Sequence, residues 1–198
     1  MSKSSCYVSG ERAQFRLDTA RLVLRPLREE DARWVWELDQ DPELMRHISF
    51  GVPTPWREFE DRLLPRMLTS HAAGPQYGFW AARLRGDPGT AVGWFHLRPE
   101  RIPPGDMELG YRLRRDSWGR GLATEGARAL VAAALGDWEL PLVVANTLQA
   151  NHASRRVMEK CGLRWERDFV YPESLLPGTS EVQRRAVRYR IVKGDPIP

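Results

Sequence analysis

Charged and apolar residues alternate along Arg21-Leu22-Val23-Leu24-Arg25-Pro26-Leu27 as in a half-buried strand, which places the start of the fold near Thr19. Residues 28–38 carry apolar groups at helical spacing behind an acidic first turn, Glu29, Glu30 and Asp31, which suits the positive end of a helix dipole. Pro42, Pro53 and Pro55 break residues 39–55, and 56–68 resumes a helical pattern through Phe59, Leu63, Leu64, Met67 and Leu68 despite Pro65. Two β-rich runs, 77–84 and 91–97, flank Arg85-Gly86-Asp87-Pro88-Gly89-Thr90, whose Asp-Pro-Gly centre is turn chemistry, so a hairpin is predicted. A third run, 107–113, leads through a glycine-containing turn into the alanine-rich helical stretch 124–135. A strand at 142–147, a helix at 151–160, Gly162 as its cap and a strand at 163–171 follow. A loop with Pro172, Pro177 and Gly178 then precedes a last strand at about 183–192.

Strands that first cluster and then alternate with helices predict a mixed α/β sheet covered by helices, neither barrel nor bundle. A chain of 198 residues suits one domain, assigned to 19–198, behind a polar tail at 1–18. No apolar run is long enough to span a bilayer, and Met1 to Gly10 lacks the apolar core of a secretory signal, so a cytoplasmic location without a membrane partner is expected. Cys6 and Cys161 form neither a disulfide framework nor a zinc spacing, and His47, His71, His96 and His152 lack the short spacings of helical ligand pairs. No metal site is expected. A net charge of +4 admits a polyanionic partner, but the arginines are scattered among acids instead of forming a basic block, and no nucleic-acid partner is expected.

The chemistry concentrates at Trp118-Gly119-Arg120-Gly121-Leu122-Ala123. A strand entering a helix through such a turn aims unpaired backbone amides and the positive dipole end at one point, while Arg115 and Arg120 add mobile charge. The same glycines also fit a plain turn. Thr124 stands where a dinucleotide-binding loop needs its third glycine, and the Gly-Lys-Ser/Thr ending of a nucleoside triphosphate loop is absent.

Three segments in order, Glu108-Leu109-Gly110-Tyr111, then 118–125, then 151–162 with its Asn-His-Ala-Ser start, resemble the GNAT acetyltransferase superfamily, and most of all its ribosomal-protein alanine N-acetyltransferase branch. The resemblance runs from about residue 19 to 192. It implies a mostly antiparallel central sheet of about six or seven strands with helices on both faces. It also implies acetyl-CoA as co-substrate, its pyrophosphate on the amides of Gly119 to Ala123, its pantetheine arm on the backbone around Leu113 and on Asn151, and Ser154 near the sulfur. Trp118 and Ala123 depart from the commonest residues of the superfamily's phosphate motif. A tyrosine acid found in many relatives is replaced here by Met158, which cannot donate a proton. A homodimer is a further expectation of the resemblance.

Along 107–113, Glu108, Gly110 and Arg112 share one face, and Leu109, Tyr111 and Leu113 the other. Glu108 is therefore the candidate base, acting through water on an amine that attacks the thioester directly, and Ser154 the candidate acid or hydrogen-bond donor. Asn151 and Ser154 lie on one helix face, where either also suits a cap. A carboxylate near 4.3 is better matched to an α-amine at about 7.7–8.0 than to an alkylamine, which favours α-amino acceptors, peptide or small molecule. Asp39, Asp41, Glu43 and Trp56 are expected around the acceptor entrance, with residues 172–179. The alternative class is a non-catalytic acyl-CoA-binding regulatory module.

Overall fold

The computed structural model describes residues 16–69, 74, 77–101 and 104–198; the expected tail lies almost wholly outside them. The elements run β1 (Leu17–Asp18), β2 (Leu22–Pro26), α1 (Ala32–Leu38), α2 (Pro42–Met45), α3 (Trp56–Glu58), α4 (Leu64–Thr69), β3 (Gly78–Leu84), β4 (Asp87–Arg101) and β5 (Pro104–Leu113). There follow α5 (Leu122–Leu135), β6 (Leu142–Leu148), α6 (His152–Lys160), β7 (Arg164–Val170), α7 (Glu181–Arg184) and β8 (Arg185–Val192). One sheet holds all eight strands in the order β1-β2-β3-β4-β5-β6-β8-β7. It exceeds the six or seven expected because Leu17–Asp18 pairs with β2, a strand too short for alternation to reveal.

Two other differences have local causes. Pro65 has no N–H to donate, and the helix ahead of it widens to a π turn at Phe59–Leu63, where the Leu64 amide bonds the Phe59 carbonyl. The hairpin reverses at Arg85-Gly86, not at Asp-Pro-Gly, since Leu84 already pairs with Asp87. Arg83 sits at a bulge and donates to the Pro88 and Gly89 carbonyls at 2.9 and 3.0 Å, drawing that stretch into the strand.

Every strand pair is antiparallel except β5–β6, where only Met107↔Val143 and Glu108↔Val144 pair. Beyond them β5 follows β4 to Gly93↔Leu113, while β6 follows β8 along its whole length. The sheet therefore opens into a wedge. On one face α5 and α6 bury Leu122, Ala127, Leu130, Val131, Ala134 and Met158 against Leu109, Leu113, Phe95 and Val143. On the other, α1 to α4 pack Val35, Leu38, Leu44, Met45, Phe59 and Met67 against Ala81 and Trp94. No helix among the described residues is long and apolar enough to cross a membrane.

The second layer is fastened by Asp31, wholly buried ahead of α1. Its carboxylate accepts from Arg25 at 2.6 and 2.9 Å, from Arg83 at 3.1 Å, from the Trp34 indole at 2.9 Å and from the Arg28 amide at 3.0 Å. Burial alone would raise this carboxyl; the bonds from Arg25, Trp34 and Arg28 outweigh it and hold the group below its ordinary value. A depressed folded-state value means stabilisation that is present above the unfolded value and fades as pH falls through the folded one. Asp31→Asn is therefore expected to lower stability by about 2–4 kcal/mol at neutral pH. The gap to wild type should narrow below about pH 4, where the unfolded carboxyl takes up its proton while the folded one is still ionised; urea denaturation across pH checks both.

Candidate active site

A cleft of about 770 Å³ passes through the wedge and joins the two faces of the sheet. Tyr111, Ser154, Val157 and Met158 line it from the α6 side; Trp94, His96, Arg98, Glu108 and Arg112 line it from the other. Alternation along β5 would separate Glu108 from Tyr111, yet both border one space because β6 has moved away from β5 beyond Glu108.

At one end stands the predicted turn. Gly119 and Gly121 have φ of 70° and 75°, a left-handed conformation that glycine adopts without the strain a side chain would bring. Gly121 is the N-cap of α5 and supplies no side-chain cap, and the first helical bond runs from Glu125 to Gly121 at 3.0 Å. The amides of Leu122, Ala123 and Thr124 thus start the helix without intrahelical partners, the arrangement that binds phosphate. Trp118, Gly119 and Ala123 line the cleft. The Trp118 indole donates to the Leu113 carbonyl at 2.8 Å, so that carbonyl, expected to meet pantetheine, is already engaged. The Leu122 side chain is in the core, leaving its amide as the available group. Arg120 is exposed, and its carbonyl accepts from Arg21 at 2.8 Å. Arg115 pairs with Asp41 at 2.8 Å and borders a separate small hollow instead of the cleft, because the α2 N-cap offers a carboxylate within its reach.

Midway along the cleft, Asn151 caps α6 by accepting the Ser154 amide at 3.1 Å, and its Nδ2 remains as a donor. The Tyr111 hydroxyl lies 3.0 Å from the Ser154 hydroxyl and 3.1 Å from the Ser154 carbonyl, so its single proton can go to either. Burial pushes the Tyr111 phenol well above its ordinary value, keeping it a hydrogen-bond donor. Met158 is buried, as its apolar side chain requires. Cys161 is likewise in the core, its thiol pushed up to about 11 by burial, and it plays no nucleophilic part.

On the opposite face three cross-strand pairs form a ladder: Trp94↔Arg112, His96↔Gly110 and Arg98↔Glu108. Arg112 lies over the Trp94 ring at 5.0 Å and pairs with Asp39. Arg98 Nη2 meets Glu108 Oε2 at 2.6 Å, and Asn146 Nδ2 donates to Glu108 Oε1 at 3.1 Å and to Glu100 Oε1 at 2.7 Å. Glu100 in turn holds buried Arg188, which also pairs with Asp106 and Glu166. Of the acceptor-entrance residues expected, Glu43 lines the cleft, as do Leu175 and Leu176 of the 172–179 loop. Asp39 and Asp41 are committed to Arg112 and Arg115, and Trp56 packs on Trp36 and Phe59.

Tyr111 was read only as part of a motif and of one strand face, and Arg98 and Asn146 went unread in the sequence. A tyrosine in an apolar alternation needs a partner for its hydroxyl, and an asparagine inside a strand is out of place by propensity; both were available signals. Arg98 had none without the β4–β5 register.

The family model of the acetyltransferase (GNAT) domain matches residues 21–164. An FsC-acetyl coenzyme A-N(2)-transacetylase of Aspergillus fumigatus is 35% identical over 191 residues, covering 92% of this chain and 78% of that protein. A ribosomal L7/L12 α-N-protein acetyltransferase with coenzyme A bound superposes with a TM-score of 0.72 at 17% identity, covering 89% of this chain and 97% of that one. A spermidine N-acetyltransferase of Vibrio cholerae, in complex with CoA and spermine, superposes at 0.69 and 16% identity, covering 88% and 96%. This chain belongs to the GNAT acetyltransferase family and is an acyl-CoA-dependent acetyltransferase. The fold alone does not choose the acceptor, since it serves both a protein terminus and a polyamine.

The ladder leaves one rung no space. A Cβ on Gly110 would stand 2.4 Å from the His96 ring. Gly110→Ala is expected to cost about 1–3 kcal/mol through forced repacking, measured by urea denaturation. Gly86→Ala, with nothing within 4 Å of the added carbon, should change stability little.

Proposed function

We propose that the chain transfers acetyl from acetyl-CoA to a primary amine, with the α-amine of an amino acid derivative or peptide as acceptor. What carries this reading is the passage through the sheet, which sets the Tyr111–Ser154 pair on one side of a single cleft and Glu108 on the other. The α5 amides receive the pyrophosphate, the arm runs along the open edge of β5, and Asn151 Nδ2 donates to it. The likeness to a ribosomal L7/L12 α-N-protein acetyltransferase and to an N(2)-transacetylase supports an α-amine.

In this mechanism the amine nitrogen attacks the thioester carbonyl carbon, forming the C–N bond. The proton lost by nitrogen passes through water to Glu108, and the C–S bonding electrons leave with sulfur. The Ser154 hydroxyl, backed by Tyr111, donates a hydrogen bond to the departing thiolate, which tolerates its charge because a thiol is already fairly acidic, with a pKa of about 8.5. No covalent enzyme intermediate is required, and Met158 has no task beyond packing.

Glu108→Gln should reduce kcat about 100-fold or more in a thiol-release assay and alter the acid limb of the pH–rate profile, with acetyl-CoA binding by calorimetry intact. Ser154→Ala and Tyr111→Phe should each cost about tenfold or less. An unaltered profile and turnover in Glu108→Gln would remove Glu108 as the base. Cofactor binding without thiol release for any amine would sink the transferase reading.

A further inference from the structure

The acceptor side of the cleft carries its own statement about charge. Asp39 is held by Arg112, Glu43 by Arg46 at 3.0 Å, and Glu100 by Arg188 and Asn146. Each of these acids already faces a guanidinium. A polycation with amines spaced along an alkyl chain would have to displace those partners and leave arginines stranded, which is costly where the pairs are buried. Of these ion pairs among the described residues, Glu108 with Arg98, direct neighbours on β5 and β4, is the one whose two partners both line the cleft, and both are partly accessible.

Such a pair is complementary to a head group that carries its own donor and acceptor side by side. An amine donates through the bridging water to Glu108; an oxygen on the carbon next to the amine-bearing one accepts from Arg98. Among the described residues Arg98 contacts Glu108 through Nη2, which leaves most of its five N–H donors available. Arg98 and Glu108 are also anchored differently: Asn146, itself tied through Glu100 to Arg188, donates to Glu108, so a ligand can engage Arg98 without unseating the base. Ile48, Tyr171, Leu175 and Leu176 form the apolar wall for the rest of the molecule.

We infer that the acceptor is an α-aminoacyl group, whose free amine meets Glu108 while its carbonyl or carboxylate oxygen is bound by Arg98, making Arg98 the residue that sets acceptor class. This rests on the transferase reading above.

The test is a thiol-release assay with the full chain, acetyl-CoA and matched acceptors: leucine, leucine methyl ester, a leucine-initiated tripeptide, 3-methylbutylamine and spermidine. The best carbonyl-bearing acceptor should exceed 3-methylbutylamine in kcat/KM by about 100-fold or more, since a site built to bind a polar group rejects an analogue lacking it. The free acid, ester and peptide arms tell a free carboxylate, a small ester and a chain terminus apart. Arg98→Met should shrink the ratio to about tenfold or less, mainly through KM, with Arg98→Lys recovering part of it. Equal or better turnover of 3-methylbutylamine or spermidine by the wild type overturns the inference without any variant. So does an Arg98→Met loss of the same factor for every acceptor, which would mean that Arg98 acts only through Glu108. Silence with all five, with acetyl-CoA still bound, defeats the transferase reading and this one with it.

Discussion

The site depends on the early parting of two parallel strands. β5 and β6 pair at two positions and then separate, because each has a better partner on its other edge: β4 holds β5 to Leu113, and β8 holds β6 throughout. A sheet so interrupted leaves the inner edges of both strands open beyond Glu108, backbone groups that elsewhere must be satisfied. An extended ligand arm can satisfy them. The same parting puts the start of α5, the cap of α6 and the β4–β5 ladder on one passage through the sheet.

Around that passage the protein fixes its charges instead of leaving them mobile. Asp31 joins β2, β3 and the start of α1; Asp39 joins α1 to β5 through Arg112; Arg188 joins β8 to Glu100 on β4, Asp106 on β5 and Glu166 on β7. Buried pairs of this kind contribute little net stability against apolar packing, but losing one partner is costly, so they enforce a single arrangement. Glu108 benefits from that rigidity. Its two oxygens are held separately by Arg98 and Asn146, and a carboxylate fixed in this way meets a substrate in one orientation.

The tyrosine absent from α6 is balanced from the neighbouring strand. Met158 fills core volume, and Tyr111 delivers a phenol to Ser154 from β5. Its buried, protonated hydroxyl suits hydrogen-bond donation better than proton release, which agrees with a thiolate leaving group that needs little help.

Local pattern determined most elements, the order of strands and helices, the glycine turn and the face of β5 that carries Glu108, because periodicity and turn chemistry act over a few residues. The short β1, the π turn before Pro65 and the true hairpin reversal escaped it, since each depends on a pairing partner or a missing donor. Of the candidate residues that motif and position singled out, Glu108, Gly119, Ala123, Asn151 and Ser154 come together along the one cleft. Arg115 lies outside that cleft, paired with Asp41, a partner that nothing local announces. The partners of Glu108 lie 10 and 38 residues from it along the chain, and Tyr111 reaches Ser154 across 43 residues. Only the tertiary structure decided these contacts: strand register and the wedge between β5 and β6 bring distant side chains within hydrogen-bond range, and neither is encoded in any one segment.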